Sequence, residues 1–208
     1  MKVNFNSFQN GHPALIHLVE SWFKKSKDAL QGGHDTIEVF MYLWISFNAW
    51  GMRVTSVDVD KDMVSDIGSN QRISESFKDL IKKDHHYRDC VLQFSQYWPI
   101  FSVSDVHKVG AYEKMHEWQD KAKIQLLHYP SSGKGRVRRS PERPFNANSM
   151  EWDDVIKAVY MVRCNLFHGN KGDAMHDAPI INAAFQCLYG LVEQAKIYSW
   201  SNVPIQKA

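Results

Sequence analysis

The residues of this sequence that could perform chemistry together are an arginine and a histidine near the end of an apolar helix. Arg163 falls in the middle of the apolar arc of segment 155–169, and His168 follows five positions later, directly before Gly169. A guanidinium stays charged and can hold a phosphate through two parallel hydrogen bonds. An imidazole titrates near neutral pH and can give or take a proton. Such a pair could cleave RNA without a metal ion, one group activating the ribose 2′-hydroxyl while the cation stabilises the phosphate.

The spacing of this pair restricts how it could act. On an ideal helix, side chains five positions apart point about 140° away from each other. Arg163 and His168 would therefore converge if the helix unwinds at Gly169, or if two chains meet across a two-fold axis and pool their pairs. Alternatively, Arg163 pairs with an acid at an interface, and His168 only stabilises the negative end of the helix dipole.

Four strong helices must position this pair, and they predict an all-α helical bundle. Two of them lie within about residues 10–53 and two within about residues 149–200, the last one beginning near Pro179. Asn48 lies on the flank of the apolar stripe of the second helix. Its amide could either join the arginine and histidine or satisfy a hydrogen bond within the core.

Residues 54–148 separate the two pairs of helices and are expected to form a partly helical insertion within a single domain, 1–208. Residues 55–69 are polar and acidic with several β-branched side chains, which predicts a connector. Further short helices are expected around residues 73–83 and 84–97, and another over residues 114–127.

A basic segment, 131–148, closes the insertion and contains glycine, proline and serine without helical or strand periodicity. It is expected to be mobile, or ordered only on binding. Its cations could hold the phosphates of an RNA backbone, or could simply be solvated. The cations are Lys134, Arg136, Arg138, Arg139 and Arg143.

The segment 162–169, Val-Arg-Cys-Asn-Leu-Phe-His-Gly, resembles the motif of the HEPN superfamily, whose members carry Arg-x4-6-His near a helix end in an all-α bundle. The resemblance covers the four bundle helices. It implies a metal-independent endoribonuclease, such as a toxin or phage-defence effector, with a composite active site at a homodimer interface. Arg163 and His168 would be catalytic, and Asn48 is the candidate for a polar residue that an earlier helix supplies. Cys164 departs from the pattern, because Asn, Asp or His often follows the arginine.

The remaining features of the sequence exclude several classes of protein. Phosphate-binding glycine loops, HExxH and paired CxxC motifs are absent from the 208 residues, so no cofactor or metal site is predicted. The three cysteines are widely spaced and are expected to be reduced thiols of a cytoplasmic protein. No apolar run reaches the ~20 residues of a membrane span.

The expected partners are RNA, a second copy and, for a toxin, an antitoxin or regulatory protein. The alternative function is a non-catalytic HEPN-like dimerisation module that binds RNA, nucleotide or a partner protein.

Overall fold

The computed structural model describes residues 3–111, 120–145, 150–167 and 174–202, and most of these residues are helical. They form ten α-helices, two short strands and a final 3-10 turn, Ile197–Ser199. The helices are α1 Asn6–Gln9, α2 Pro13–Gln31, α3 Thr36–Thr55, α4 Asp60–Gly68, α5 Gln71–Lys83, α6 His85–Ser95, α7 Val103–Lys108, α8 Asp120–Leu127, α9 Trp152–Phe167 and α10 Ala174–Gln194. The predicted predominance of helix is confirmed.

The central element of the fold is α3, which is apolar around most of its circumference. Asp35 begins it, because the Asp35 carboxylate accepts a hydrogen bond from the backbone N–H of Ile37 at 2.7 Å. Its large side chains are buried, and the helix packs against α2, α4 and α10. The fully buried aromatic residues of α3 are Phe40, Trp44, Phe47 and Trp50. A helix that is apolar nearly all round needs neighbours on most sides, and α3 has them.

The predicted connector 55–69 is wrong, because α4 occupies residues 60–68. Met63, Val64 and Ile67 are buried, so this short helix contributes to the main core. Glycines let α4 approach both neighbours closely. A Cβ on Gly51 of α3 would lie 2.6 Å from Met63 Sδ, and a Cβ on Gly68 would overlap the Asp153 carboxylate at the start of α9.

The predicted insertion does not pack as one unit. The helices α5 and α6 bury Phe77, Tyr87 and Phe94 in the same core as the bundle helices. A second, smaller core follows, formed by the buried residues Phe101, Val106, Leu126 and Val137. Strand β1, Ile100–Phe101, pairs antiparallel with β2, Arg139–Ser140, and closes this smaller core. The second core covers only the later part of residues 54–148.

The last bundle helix begins earlier than the sequence pattern indicates. Pro179 was expected near its first residue, but α10 begins at Ala174 and contains Pro179. The side chains of Ile181, Phe185 and Leu188 then face the core. Within the described residues, no helix combines the length and the hydropathy that a membrane span requires.

Candidate functional site

Two of the three predicted catalytic side chains meet at one carboxylate. Arg163 Nη2 lies 2.9 Å from Asp60 Oδ2, and Asn48 Nδ2 donates a hydrogen bond to Asp60 Oδ1 at 2.9 Å. The three residues come from α9, α4 and α3. The structure therefore connects Asn48 with Arg163 through Asp60, a residue that the sequence did not single out. His168, the third predicted catalytic residue, lies outside the described residues.

The start of α4 places Asp60 at this junction. Asp60 is the first residue of the helix, where a negative charge is favoured by the helix dipole. The preceding Val59 cannot cap the helix through its side chain. The two carboxylate oxygens of Asp60 do not cap α4; one contacts Asn48 of α3 and the other contacts Arg163 of α9. Asn48 is half-buried, and its amide ties α3 to α4 through this carboxylate.

The guanidinium of Arg163 is partly buried beside Asp60 and the rings of Phe167 and Trp44. The side chains of Arg163 and Asp60 are 20% and 22% exposed, so their attraction is screened less than on an open surface. The guanidinium carbon lies 4.2 Å from the ring centroid of Phe167 and 5.7 Å from that of Trp44. Arg163 Nε is buried and has no acceptor among the described residues. A buried N–H without a partner costs about 1–3 kcal/mol.

Tyr160 and Cys164 lie beside this ion pair. Burial raises the pKa of the Tyr160 hydroxyl, and interaction with the adjacent Cys164 thiol raises that pKa further. The negative charge of Asp60 acts in the same direction, whereas Arg163 opposes it. Tyr160 therefore stays protonated at neutral pH and can donate a hydrogen bond, but it cannot serve as a general base. Cys164, which departs from the HEPN motif, lies beside this tyrosine.

Asn165 links the later insertion to α9. Its side chain amide donates to the carbonyl of Phe101 at 2.9 Å, and its Oδ1 accepts from the backbone N–H of Val103 at 3.1 Å. Asn165 is only 4% exposed, so these bonds are shielded from water. The residue one place after Cys164 thus fixes the junction of β1 and α7 against the helix that carries Arg163.

Replacing Asn165 with alanine is expected to lower the free energy of unfolding by about 2–3 kcal/mol. The substitution leaves a buried carbonyl at Phe101 and a buried N–H at Val103 without their partner, and each costs about 1–3 kcal/mol, part of which water entering the gap would recover. Urea denaturation followed by circular dichroism measures the change, with the exposed Asn10→Ala as the matched control. A loss no larger than that of the control would show that this anchor is dispensable.

Arg138 does not have the free side chain expected for a backbone-binding residue. Its Nε and Nη2 bind Asp105 Oδ2 and Oδ1 at 2.5 and 3.1 Å, and Nη2 also lies 3.3 Å from Ser102 Oγ. Burial alone would raise the pKa of the Asp105 carboxyl, but the hydrogen bonds and charge of Arg138 outweigh it and lower that pKa. This bidentate pair holds the smaller core together.

The rest of the basic segment divides into ordered and exposed parts. Val137 is buried and Arg139 belongs to β2, so the expectation of a wholly mobile segment is wrong at this point. The Arg139 guanidinium lies 3.4 Å from the carbonyl oxygens of Tyr129 and Glu142. Lys134, Arg136 and Arg143 are exposed, and so is Arg138 although it is paired with Asp105.

Comparisons of the chain with protein-family models, with curated proteins and with solved structures gave no match.

Proposed function

We propose that this protein is a metal-independent endoribonuclease of the HEPN type, with a composite active site at a homodimer interface. The observation that carries the proposal is the pairing of Arg163 with Asp60 near the end of α9, five residues before His168 in the sequence. A HEPN-like arrangement of α2, α3, α9 and α10 is part of the same proposal. Because the ideal helix separates Arg163 from His168 by about 140°, two chains would supply the two residues to each site.

In this reaction the ribose 2′-oxygen attacks the adjacent phosphorus, and the bond from phosphorus to the 5′-oxygen of the next nucleotide breaks. His168 acts as the general base that takes the 2′-hydroxyl proton or as the general acid that protonates the leaving 5′-oxygen. Arg163 stabilises the negative charge that develops on the phosphate oxygens. The ion pair with Asp60 joins Nη2, and the Arg163 side chain is 20% exposed, which supports contact between the rest of the guanidinium and a phosphate.

Asp60 and Asn48 act on Arg163 without touching the substrate. The Asp60 carboxylate fixes the direction of the guanidinium, and Asn48 fixes the carboxylate by occupying its other oxygen. Both are therefore positioning residues in this proposal. A guanidinium whose orientation is set before substrate arrives loses less entropy on reaching the transition state.

The same ion pair favours a second candidate function. Arg163 is paired with an acid, Asp60, as expected if its role is structural and not catalytic. This ion pair fits a non-catalytic HEPN-like module that binds RNA, nucleotide or a partner protein. The two candidates differ in one measurable property, since only the first predicts that covalent bonds of RNA are broken.

The test is incubation of the purified protein with RNA in the presence of EDTA. We expect wild-type protein to cleave the RNA, because the guanidinium and the imidazole together supply the charge and the proton transfer. We expect Arg163→Ala and His168→Ala each to abolish cleavage. The matched controls Arg88→Ala and His17→Ala change exposed residues away from the site and should cleave like wild type.

Cleavage that survives both Arg163→Ala and His168→Ala would reject the nuclease proposal. RNA binding by wild type without any cleavage would favour the non-catalytic module. A solution mass of a monomer at micromolar concentration would contradict the composite site. A role as a toxin or phage-defence effector follows only if cleavage is found, and then an antitoxin or regulatory protein is the partner to seek.

A further inference from the structure

Phe167 is an exposed aromatic ring at the proposed site. Five large apolar side chains of the described residues are exposed: Leu18, Leu30, Val59, Ile124 and Phe167. Only Phe167 among them is aromatic, and its exposed fraction is 44%. It is also the final residue of α9, one helical turn beyond Arg163. Core packing explains the buried aromatic residues, but it does not explain an exposed ring beside a charged side chain at a helix end.

One face of this ring is already covered. The Arg163 guanidinium carbon lies over the ring, 4.2 Å from its centroid, and Asp60 holds the guanidinium in place at 2.9 Å. The cation is attracted to the electron-rich face of the ring and fixes its orientation. The exposed area of Phe167 therefore belongs to the rest of the ring, which lies beside the guanidinium.

A ligand that satisfies both groups must carry a negatively charged oxygen for Arg163 and a flat ring for Phe167. A nucleotide has both within one residue. Aromatic side chains and arginine planes bind RNA in this way where bases are unpaired and can be turned out of the stack. A base inside a duplex is paired and stacked on its neighbours, so it is not free to lie against Phe167.

We propose that Phe167 stacks on an unpaired nucleobase next to the phosphate that Arg163 binds, and that the substrate is therefore single-stranded RNA. The inference rests on the proposed function for the identity of the bound polymer. It adds the residue that contacts the base and the strand state that the site accepts.

The test measures binding without cleavage, in the full-length protein carrying His168→Ala. Fluorescence anisotropy follows the binding of a fluorescein-labelled single-stranded RNA and of the same RNA in a duplex. Adding Phe167→Leu should weaken binding of the single strand about 10- to 100-fold, because leucine keeps apolar volume but has no ring to stack. Phe167→Trp should restore it to within about threefold. Binding of the duplex should not change, since its contacts are to phosphates.

A matched control is Ile124→Ala, which removes an apolar side chain that is 56% exposed on α8. It should leave both affinities unchanged. In the wild-type protein, cleavage in EDTA should consume the single strand and spare the duplex.

Equal single-strand affinities of the Phe167→Leu protein and its parent would overturn the inference. So would a fall of the solution mass to that of a monomer on Phe167→Leu, since the ring would then belong to a contact between two copies. If wild type cleaves RNA but Phe167→Leu changes nothing, the inference fails and the nuclease stands. If binding depends on Phe167 but no RNA is cleaved, the nuclease fails and the stacking contact stands.

Discussion

Replacing Asp60 with asparagine is expected to reduce the rate of RNA cleavage about 100-fold and to lower the free energy of unfolding by about 1–3 kcal/mol. Asn48 Nδ2 donates a hydrogen bond to one oxygen of Asp60, and Arg163 Nη2 forms an ion pair with the other. Asparagine offers one oxygen and one NH2 group, so one of the two donors would face another donor. Arg163 would then lose either its fixed direction or its partner, and a misplaced guanidinium stabilises the transition state poorly.

The kinetic constants separate a positioning role from a general loss of folding. Removing a negative charge beside Arg163 reduces repulsion of the phosphate, so kcat should fall while KM decreases. A merely unfolded fraction would lower the amount of active protein and leave KM unchanged, and circular dichroism would detect it.

Asp62→Asn is the matched control for Asp60→Asn. Asp62 also lies in the first turn of α4, but it is exposed. Both substitutions remove the same favourable interaction with the helix dipole, which is worth about 0.3–1 kcal/mol. The difference between them therefore isolates the contacts with Asn48 and Arg163. Equal effects of the two substitutions on kcat would contradict the positioning role of Asp60.

Replacing Gly190 with alanine is expected to lower the free energy of unfolding by about 3 kcal/mol or more. The added Cβ would overlap Cδ2 and Cε2 of the Tyr87 ring. Tyr87 is 2% exposed, and its hydroxyl donates to the carbonyl of Cys187 at 2.8 Å, so the ring cannot move aside without breaking this bond. The helices α6 and α10 would have to separate. Thermal and urea denaturation measure the loss.

Gly51→Ala provides the comparison, because Gly51 is also in the middle of a buried helix. Its added Cβ would approach the Met63 thioether at 2.6 Å and Ile67 Cδ1 at 2.9 Å, which are the ends of side chains. A methionine side chain can change rotamer, so the loss should stay within about 1 kcal/mol. Both substitutions gain about 1 kcal/mol of helix propensity, which cancels in the comparison. Similar losses at the two sites would show that the Tyr87 ring has room to move.

The sequence predicted the long helices well, because their apolar periodicity runs over several turns. The structure has α2 from Pro13 and α3 after Asp35, as the turn and capping residues indicate. Asn48 and Arg163 were each identified from a polar group on or beside an apolar stripe, and both reach Asp60. A polar residue on a helix face that packs against other helices must find a partner, and that requirement can be deduced from the sequence alone.

Asp60 could not be identified in the same way. The β-branched residues before it suggested a connector, and a helix of two and a half turns gives a weak periodic signal. The acids Asp60 and Asp62 followed by the apolar Met63, Val64 and Ile67 were the only local indication of a helix start. The partner of Arg163 lies about a hundred residues away in the chain, so their contact depends on tertiary packing.

The smaller core was missed for a related reason. Strand β2 has two residues, and Val137 is a single apolar residue in the basic run between Arg136 and Arg138. Two residues cannot show a period. Arg138 was expected to be a free cation because its partner, Asp105, lies in a segment for which no prediction was made. A charged residue in a sequence is expected to be solvated, but the fold can bring an opposite charge to it, as it brings Asp105 to Arg138.

The close approach of Gly68 to α9 has a consequence for the other end of α4. The two helices run in opposite directions, with Gly68 against Asp153 and Ile156, and Asp60 against Arg163. A helix of nine residues is stiff and about 13 Å long. It is supported at one end by a close contact, where a Cβ at residue 68 would lie 3.3 Å from Asp153 Cα, and at the other end by a charge. A side chain larger than a methyl group at residue 68 would press on the α9 backbone, tilt the helix and shift the Asp60 carboxylate, so the orientation of the Arg163 guanidinium depends on a position with no chemistry of its own.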